Sequence, residues 1–165
     1  RAQLAEVRER LVADDGLAGS VARLALQQDP GESELYLERS DYPPESCSTF
    51  VLDRVVPLLE LPPSQRLSYI GIRKRLIRFF QDLPFRVQLA CDDARDDILL
   101  RYALGDDLPR NVAPITYDLR KIMDAPAFRR SQAAYHDQPG CPWHHALHDA
   151  RALRLGWLAW RGSGC

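Results

Sequence analysis

The sequence predicts a layered α/β domain. Three observations predict it. Apolar residues alternate in some short runs and recur every three or four positions in others, so strand and helix periods are both present. The segments follow one another as hairpin, helix, helix, strand, helix, strand and helices, the order of a layered fold. At 165 residues, with 45% hydrophobic and 27% charged side chains, the chain is sized for one ordinary core, giving a single domain over 1–165.

Residues 4–12 place Leu4, Val7, Leu11 and Val12 at helical spacing, and Gly16 with Gly19 closes the segment. Val21 to Leu26 reads as a strand, Asp29-Pro30-Gly31 as a turn, and Glu34 to Glu38 as the returning strand of a hairpin. After Pro43-Pro44, the residues Phe50, Val51, Val55, Leu58 and Leu59 spell a short helix that Pro57 kinks or ends. Pro62-Pro63 forms a second loop. Ile72, Leu76, Phe79, Phe80 and Leu83 then mark an amphipathic helix.

Arg86 to Cys91 reads as a mostly buried strand. Asp92-Asp93 offers a cap for the next helix, which carries Ile98, Leu99 and Leu104 and stops at Gly105. Ala113 to Tyr117 is the last strand. Helical patches at 118–123 and 125–135 lead through Pro139-Gly140 to a final helix over 144–160. Internal repeats and low-complexity tracts are absent.

Charge and cysteine usage narrow the function classes. The formal net charge of −1 gives no global pull toward nucleic acid, so any such contact must be local. Lys74 and Lys121 are the only lysines among 22 basic residues, a bias that fits genome composition. Cys47, Cys91, Cys141 and Cys165 show no paired spacing, as expected of reduced thiols in a cytoplasm. No apolar run reaches transmembrane length and no signal-peptide pattern opens the chain. The first residue is Arg1 rather than methionine, so further sequence is expected upstream.

The most informative stretch is Trp143-His144-His145-Ala146-Leu147-His148-Asp149-Ala150. A histidine precedes an aspartate by five residues at the head of a helix, a spacing that lets an imidazole and a carboxylate face one cleft. A base beside a metal-binding carboxylate is what phosphodiester hydrolysis requires. The pattern His-x-Ala-Leu-x-Asp-Ala, met here by His144, Ala146, Leu147, Asp149 and Ala150, resembles the third motif of the DEDD-type 3′–5′ exonucleases that use a histidine. Ser40-Asp41-Tyr42-Pro43, Cys47 to Val51, and Ala90-Cys91-Asp92 with Asp96 are similar to small bacterial exoribonucleases related to the polyadenylate-specific branch. The resemblance covers residues 21–160.

The resemblance implies a ribonuclease-H-like fold, a mixed central sheet with helices on both faces. It implies two Mg²⁺ or Mn²⁺ ions, a single-stranded nucleic-acid substrate with RNA favoured, and a possible homodimer. His144 would be the water-activating base and Asp149 a metal ligand. His145 and His148 fall at variable positions and are expected to face solvent. Asp96 fits the second-motif aspartate, with Asp92, Asp93 and Asp97 as close competitors. The first motif, Asp-x-Glu, occurs nowhere in the chain. Val7-Arg8-Glu9 is the nearest candidate, with valine in place of aspartate. Either the first strand precedes Arg1, or this is a degenerate member. In the second case it would be a non-catalytic binding or scaffold protein on the same fold.

Other chemistry is also open. Cys141-x-x-His144-x-x-x-His148 has spacings seen in zinc sites, but offers three local ligands and no second Cys/His pair. Tyr42, Trp143 and Arg151 are candidate substrate contacts. Arg73-Lys74-Arg75 with Arg78 forms a basic helical face for phosphates or for water. Trp157 and Trp160 are expected in the core.

Overall fold

The computed structural model describes residues 34–105 and 108–164. The expected helix at 4–12, the strand at 21–26, the turn at 29–31, Glu9 and Cys165 lie outside the described residues. Within them the order is a series of short turns, then α1 (Tyr69–Asp82), β1 (Ala90–Cys91), α2 (Ala94–Leu104), β2 (Tyr117–Asp118), α3 (Arg120–Met123), α4 (Pro126–His136) and α5 (Ala146–Gly162).

Glu34 to Glu38, expected as a returning strand, runs through without strand pairing of its own; a single parallel bridge joins Arg39 to Leu67. Strands are stabilised by ladders, and the partner expected for this segment falls among the undescribed residues. The segment is held instead by a side chain. Glu38 is fully buried and accepts hydrogen bonds from the Tyr36 hydroxyl at 2.7 Å and from the backbone N–H groups of Glu60 and Leu61 at 2.6 and 2.9 Å. Arg66 completes the cluster with an ion pair at 2.7 Å. The carboxylate thus ties the segment to the Glu60–Leu61 loop, beside the single backbone bridge at Arg39 and Leu67.

The short helix expected around Pro57 is a π-type turn over Val51–Val55 followed by a 3₁₀ turn over Val56–Leu58, and the chain leaves extended at Leu59. Pro57 lacks the N–H that a continuing helix needs. Ser68 starts α1 by accepting the Gly71 amide, and Ile72, Leu76 and Phe80 form its buried stripe. That stripe packs with Leu83, Val87, Leu89, Ala103 and Leu104 into the larger core.

Asp93 caps α2 by accepting the Arg95 amide at 2.8 Å. Gly105 ends the helix at φ 59°, a left-handed conformation that favours glycine. β1 and β2 are parallel, pairing Ala90 with Tyr117 and Cys91 with Asp118, so α2 is the crossover of a small βαβ unit. The residue offset grows from 25 at the Val87–Val112 bridge to 27 at Ala90–Tyr117, so two extra residues bulge out of the second run. Asn111 steadies the entry to that run by donating to the carbonyls of Phe80, Leu83 and Phe85.

The second core joins Leu119, Ile122, Phe128 and Leu153, with Trp157 and Trp160 packed partly buried against it. Pro126 opens α4 at its first position, where a missing N–H costs nothing. α4 and α5 pack closely because Gly156 presents no side chain to the Phe128 ring. This contact brings the C-terminal end of α4 to the N-terminal end of α5. Among the described residues no helix is long and apolar enough to cross a membrane.

Candidate functional site

The candidate site forms where α4 ends and α5 begins. Gly140, at φ 80°, turns the chain after α4, and residues 141–145 bring it back to start α5 at Ala146. His144 adopts φ 67°, the one non-glycine residue described with a left-handed backbone. For a residue with a Cβ this costs about 1–2 kcal/mol, so something must hold it. Part of the answer is Asp149, whose Oδ1 accepts the His144 amide at 3.3 Å. The His144 ring is exposed and meets the edge of Phe50 at 5.1 Å between centroids. His144 and Asp149 are therefore brought together, but through the histidine's backbone rather than its imidazole.

Asp149 is buried, with 8% of its surface exposed, and faces a residue that local sequence spacing did not single out. His136, the last residue of α4, places Nε2 3.5 Å from Asp149 Oδ1, while its Nδ1 lies 3.0 Å from the Cys141 carbonyl. The His136 ring stacks under Trp143 at 3.8 Å and 21°. Trp143 leaves half its surface to solvent. The only hint of this in the sequence is that all four histidines fall between positions 136 and 148.

His145 and His148 correct the expectation that they face solvent: both are buried. His145 stacks on Tyr36 at 5.0 Å and packs against His148 at 4.7 Å. His148 Nδ1 sits 2.9 Å from the Tyr135 hydroxyl. The cause is helix geometry. Position 148 lies a turn below 145 on the face that α4 and the Tyr36 segment cover, so both rings are enclosed. Burial lowers the His148 pKa below its ordinary value, and the neighbouring His145 and Arg151 charges add to this. Arg151 reaches back to pair with Glu34 through Nε and one Nη, and its hydrogen bond holds the Glu34 carboxyl below the usual range.

Asp96 stands in the first turn of α2, half-buried. Two of its three competitors hold structural posts: Asp93 caps the helix and pairs with Arg95, and Asp97 bonds Arg101 and Thr116. Burial, then the charges of Asp96, Asp97 and Asp92, push the Cys91 thiol up to about 11. That thiol is inert at neutral pH.

Among the described residues, no three His, Cys, Asp or Glu side chains converge as metal ligands. His144, Asp149 and Asp96 do not form such a set, and neither do Cys141, His144 and His148. The described residues alone therefore do not fit a two-ion centre, because Asp149 is turned toward protein groups and Asp97 is matched by Arg101. What the arrangement offers is an exposed imidazole on a fixed corner that meets Phe50, a buried carboxylate bound to its amide, and a half-exposed Trp143 stacked on His136. Comparison of the chain with protein-family models and with curated proteins found no match.

Proposed function

We propose that this chain is a 3′–5′ exonuclease-like domain of the histidine-type DEDD kind, on a ribonuclease-H-like fold, taking the end of a single-stranded nucleic acid with RNA favoured. The observation that carries the proposal is the pairing of His144 and Asp149 at one helix start: an exposed imidazole held on a left-handed backbone whose amide is tied to the buried carboxylate. In this reading His144 accepts a proton from the attacking water as general base. Asp149 and Asp96 are the second pair of acidic groups. Mg²⁺ or Mn²⁺ would supply charge neutralisation at the phosphate only if first-motif carboxylates complete the set from outside the described residues, Glu9 being one candidate; if that motif is lost, the chain does not hold the ions. A cytoplasmic setting accords with Cys47, Cys91 and Cys141 being free thiols.

One observation favours a second reading, a non-catalytic nucleic-acid-binding or scaffold protein on the same fold. The Asp149 carboxylate already faces the His144 amide and the His136 ring. A single assay separates the two. The protein is incubated with Mn²⁺ and a 5′-labelled single-stranded oligoribonucleotide, beside His144→Ala and Asp149→Asn variants shown to be folded by thermal melting. Exonuclease activity gives a ladder from the 3′ end that fades at least a hundredfold in both variants, in line with loss of a general base. Equal decay in all three refutes the proposal. Retained oligonucleotide binding without turnover supports the second reading, and a deoxy-oligonucleotide run in parallel reads the sugar preference.

A further inference from the structure

His136 is the least expected group at the site. It ends α4, thirteen residues before Asp149, and its side chain is wholly shielded from solvent. Three contacts fix the ring: the Cys141 carbonyl at Nδ1, the Trp143 indole on one face, and the Tyr135 ring edge-on at 5.4 Å. A carbonyl can only accept, so Nδ1 carries the hydrogen of that bond. Nε2 is then the one remaining polar atom. It is buried, makes no hydrogen bond among the described residues, and is aimed at Asp149 Oδ1 from 3.5 Å. With the Nδ1 hydrogen given to Cys141, the Nε2 contact with the carboxylate needs a second proton shared by the pair, held on Nε2 or on Asp149, and a buried polar atom left unmatched is costly.

We propose that His136 is the positioning residue of this site: it sets the orientation of the Asp149 carboxylate, while the His144 amide anchors the same oxygen from the loop. The two restraints reach Oδ1 from different elements, α4 and the loop before α5, so together they fix the side-chain torsions of Asp149. Buried acceptors near a functional carboxylate are commonly steered in this way by a neighbouring ring. The importance of that orientation for turnover rests on the reading of Asp149 as a functional carboxylate. The contact itself does not.

The test uses two replacements that each keep one nitrogen of the imidazole. The amide nitrogen of His136→Gln can occupy the place of Nε2, and that of His136→Asn the place of Nδ1. Each is made in the parent chain and in Asp149→Asn, and the unfolding equilibrium is measured by urea titration. If His136 acts through Asp149, His136→Gln stays near the parent. His136→Asn then loses about tenfold in the unfolding equilibrium constant, and that loss shrinks severalfold in the Asp149→Asn background, as coupled neighbours require. If Asn rescues and Gln does not, the ring acts through Cys141 and the proposal falls. Equal losses in both backgrounds also overturn it, leaving only packing under Trp143.

Should the variants fail to fold, nitrogen NMR of the parent and of Asp149→Asn gives the answer. A His136 Nε2 resonance that moves on removing the carboxylate charge supports the contact, and an unmoved one refutes it. With Mn²⁺ and oligoribonucleotide, His136→Asn should lower kcat more than it raises KM. A parent chain without turnover defeats the exonuclease reading, while the stability coupling still judges His136.

Discussion

Replacing Gly156 with alanine probes the contact that brings α4 and α5 together. A Cβ at this position would stand 2.8, 2.8 and 2.9 Å from three atoms of the Phe128 ring, whereas ordinary contact begins near 3.4 Å. The ring, or the helix carrying it, must therefore withdraw by about 0.6 Å. Phe128 has no solvent exposure and is hemmed in by Leu119, Ile122 and Leu153, so there is little free space to take up the shift. Overpacking a filled core costs about 1–3 kcal/mol, and the enclosure places this case near the upper end. Alanine returns about 1 kcal/mol through its better helix propensity. The net is a loss of about 2 kcal/mol, or roughly 4–8 °C in melting temperature for a chain of this size.

Scanning calorimetry on the parent and Gly156→Ala measures it directly. Gly162→Ala is the control, since nothing lies within 4 Å of its added Cβ. It should be neutral or stabilising by a few tenths of a kcal/mol, because it ends the helix. If Gly156→Ala melts at or above the parent, the close packing of α4 on α5 is wrong, and with it the placement of His136 beside Asp149.

Glu38→Ala would strand the amides of Glu60 and Leu61 and leave Arg66 only its bond to the Leu61 carbonyl. A cost of about 3–5 kcal/mol is expected in urea unfolding, and a loss under about 1 kcal/mol would show that the cluster does not hold the loops. Stability should fall with acid in two stages. His148 has a folded-state pKa below its ordinary 6.5, so its contribution is whole above that pH and is lost as pH falls through the folded value. Glu34 and Asp41, held below 4.5 and 3.8 by Arg151 and Arg39, lose theirs further down by the same sign. Urea midpoints from pH 7.5 down to about 2 read both stages, and His148→Asn, which keeps an acceptor near Tyr135, should remove the first; an unchanged slope would refute that assignment. His144→Gly relieves the left-handed backbone and should change stability by roughly 0 to +1 kcal/mol, after the entropy cost of glycine is deducted. The same variant should lose any His144-dependent turnover, and a marked loss of stability instead would mean that the imidazole is structural.

Helices with a single apolar stripe were legible from sequence, because their stability is local. Ile72, Leu76 and Phe80 announce the face of α1, though not its Ser68 cap, and Asp93 with Gly105 brackets α2. The strands were visible as apolar runs, but their extent was not. Ladder pairing depends on a partner elsewhere in the chain, and the bulge after Val112 shortens it. The site divides the same way. His144 and Asp149 lie five residues apart, within reach of a spacing argument, but the structure joins them through the His144 amide rather than its imidazole. Glu38 works across twenty-two residues to Glu60, and His136 across thirteen to Asp149. No local periodicity encodes such reaches; they follow only once α4 and α5 are packed. The burial of His145 and His148 was hidden for the same reason.

The backbone corner at His144 also bears on how any ligand arrives. With its amide drawn inward to Asp149, the peptide is locked before a visitor appears, and only the imidazole torsions remain to adjust. Association at this corner should then proceed without a slow loop-ordering phase, its pace set by encounter and by stripping water from Phe50 and Trp143.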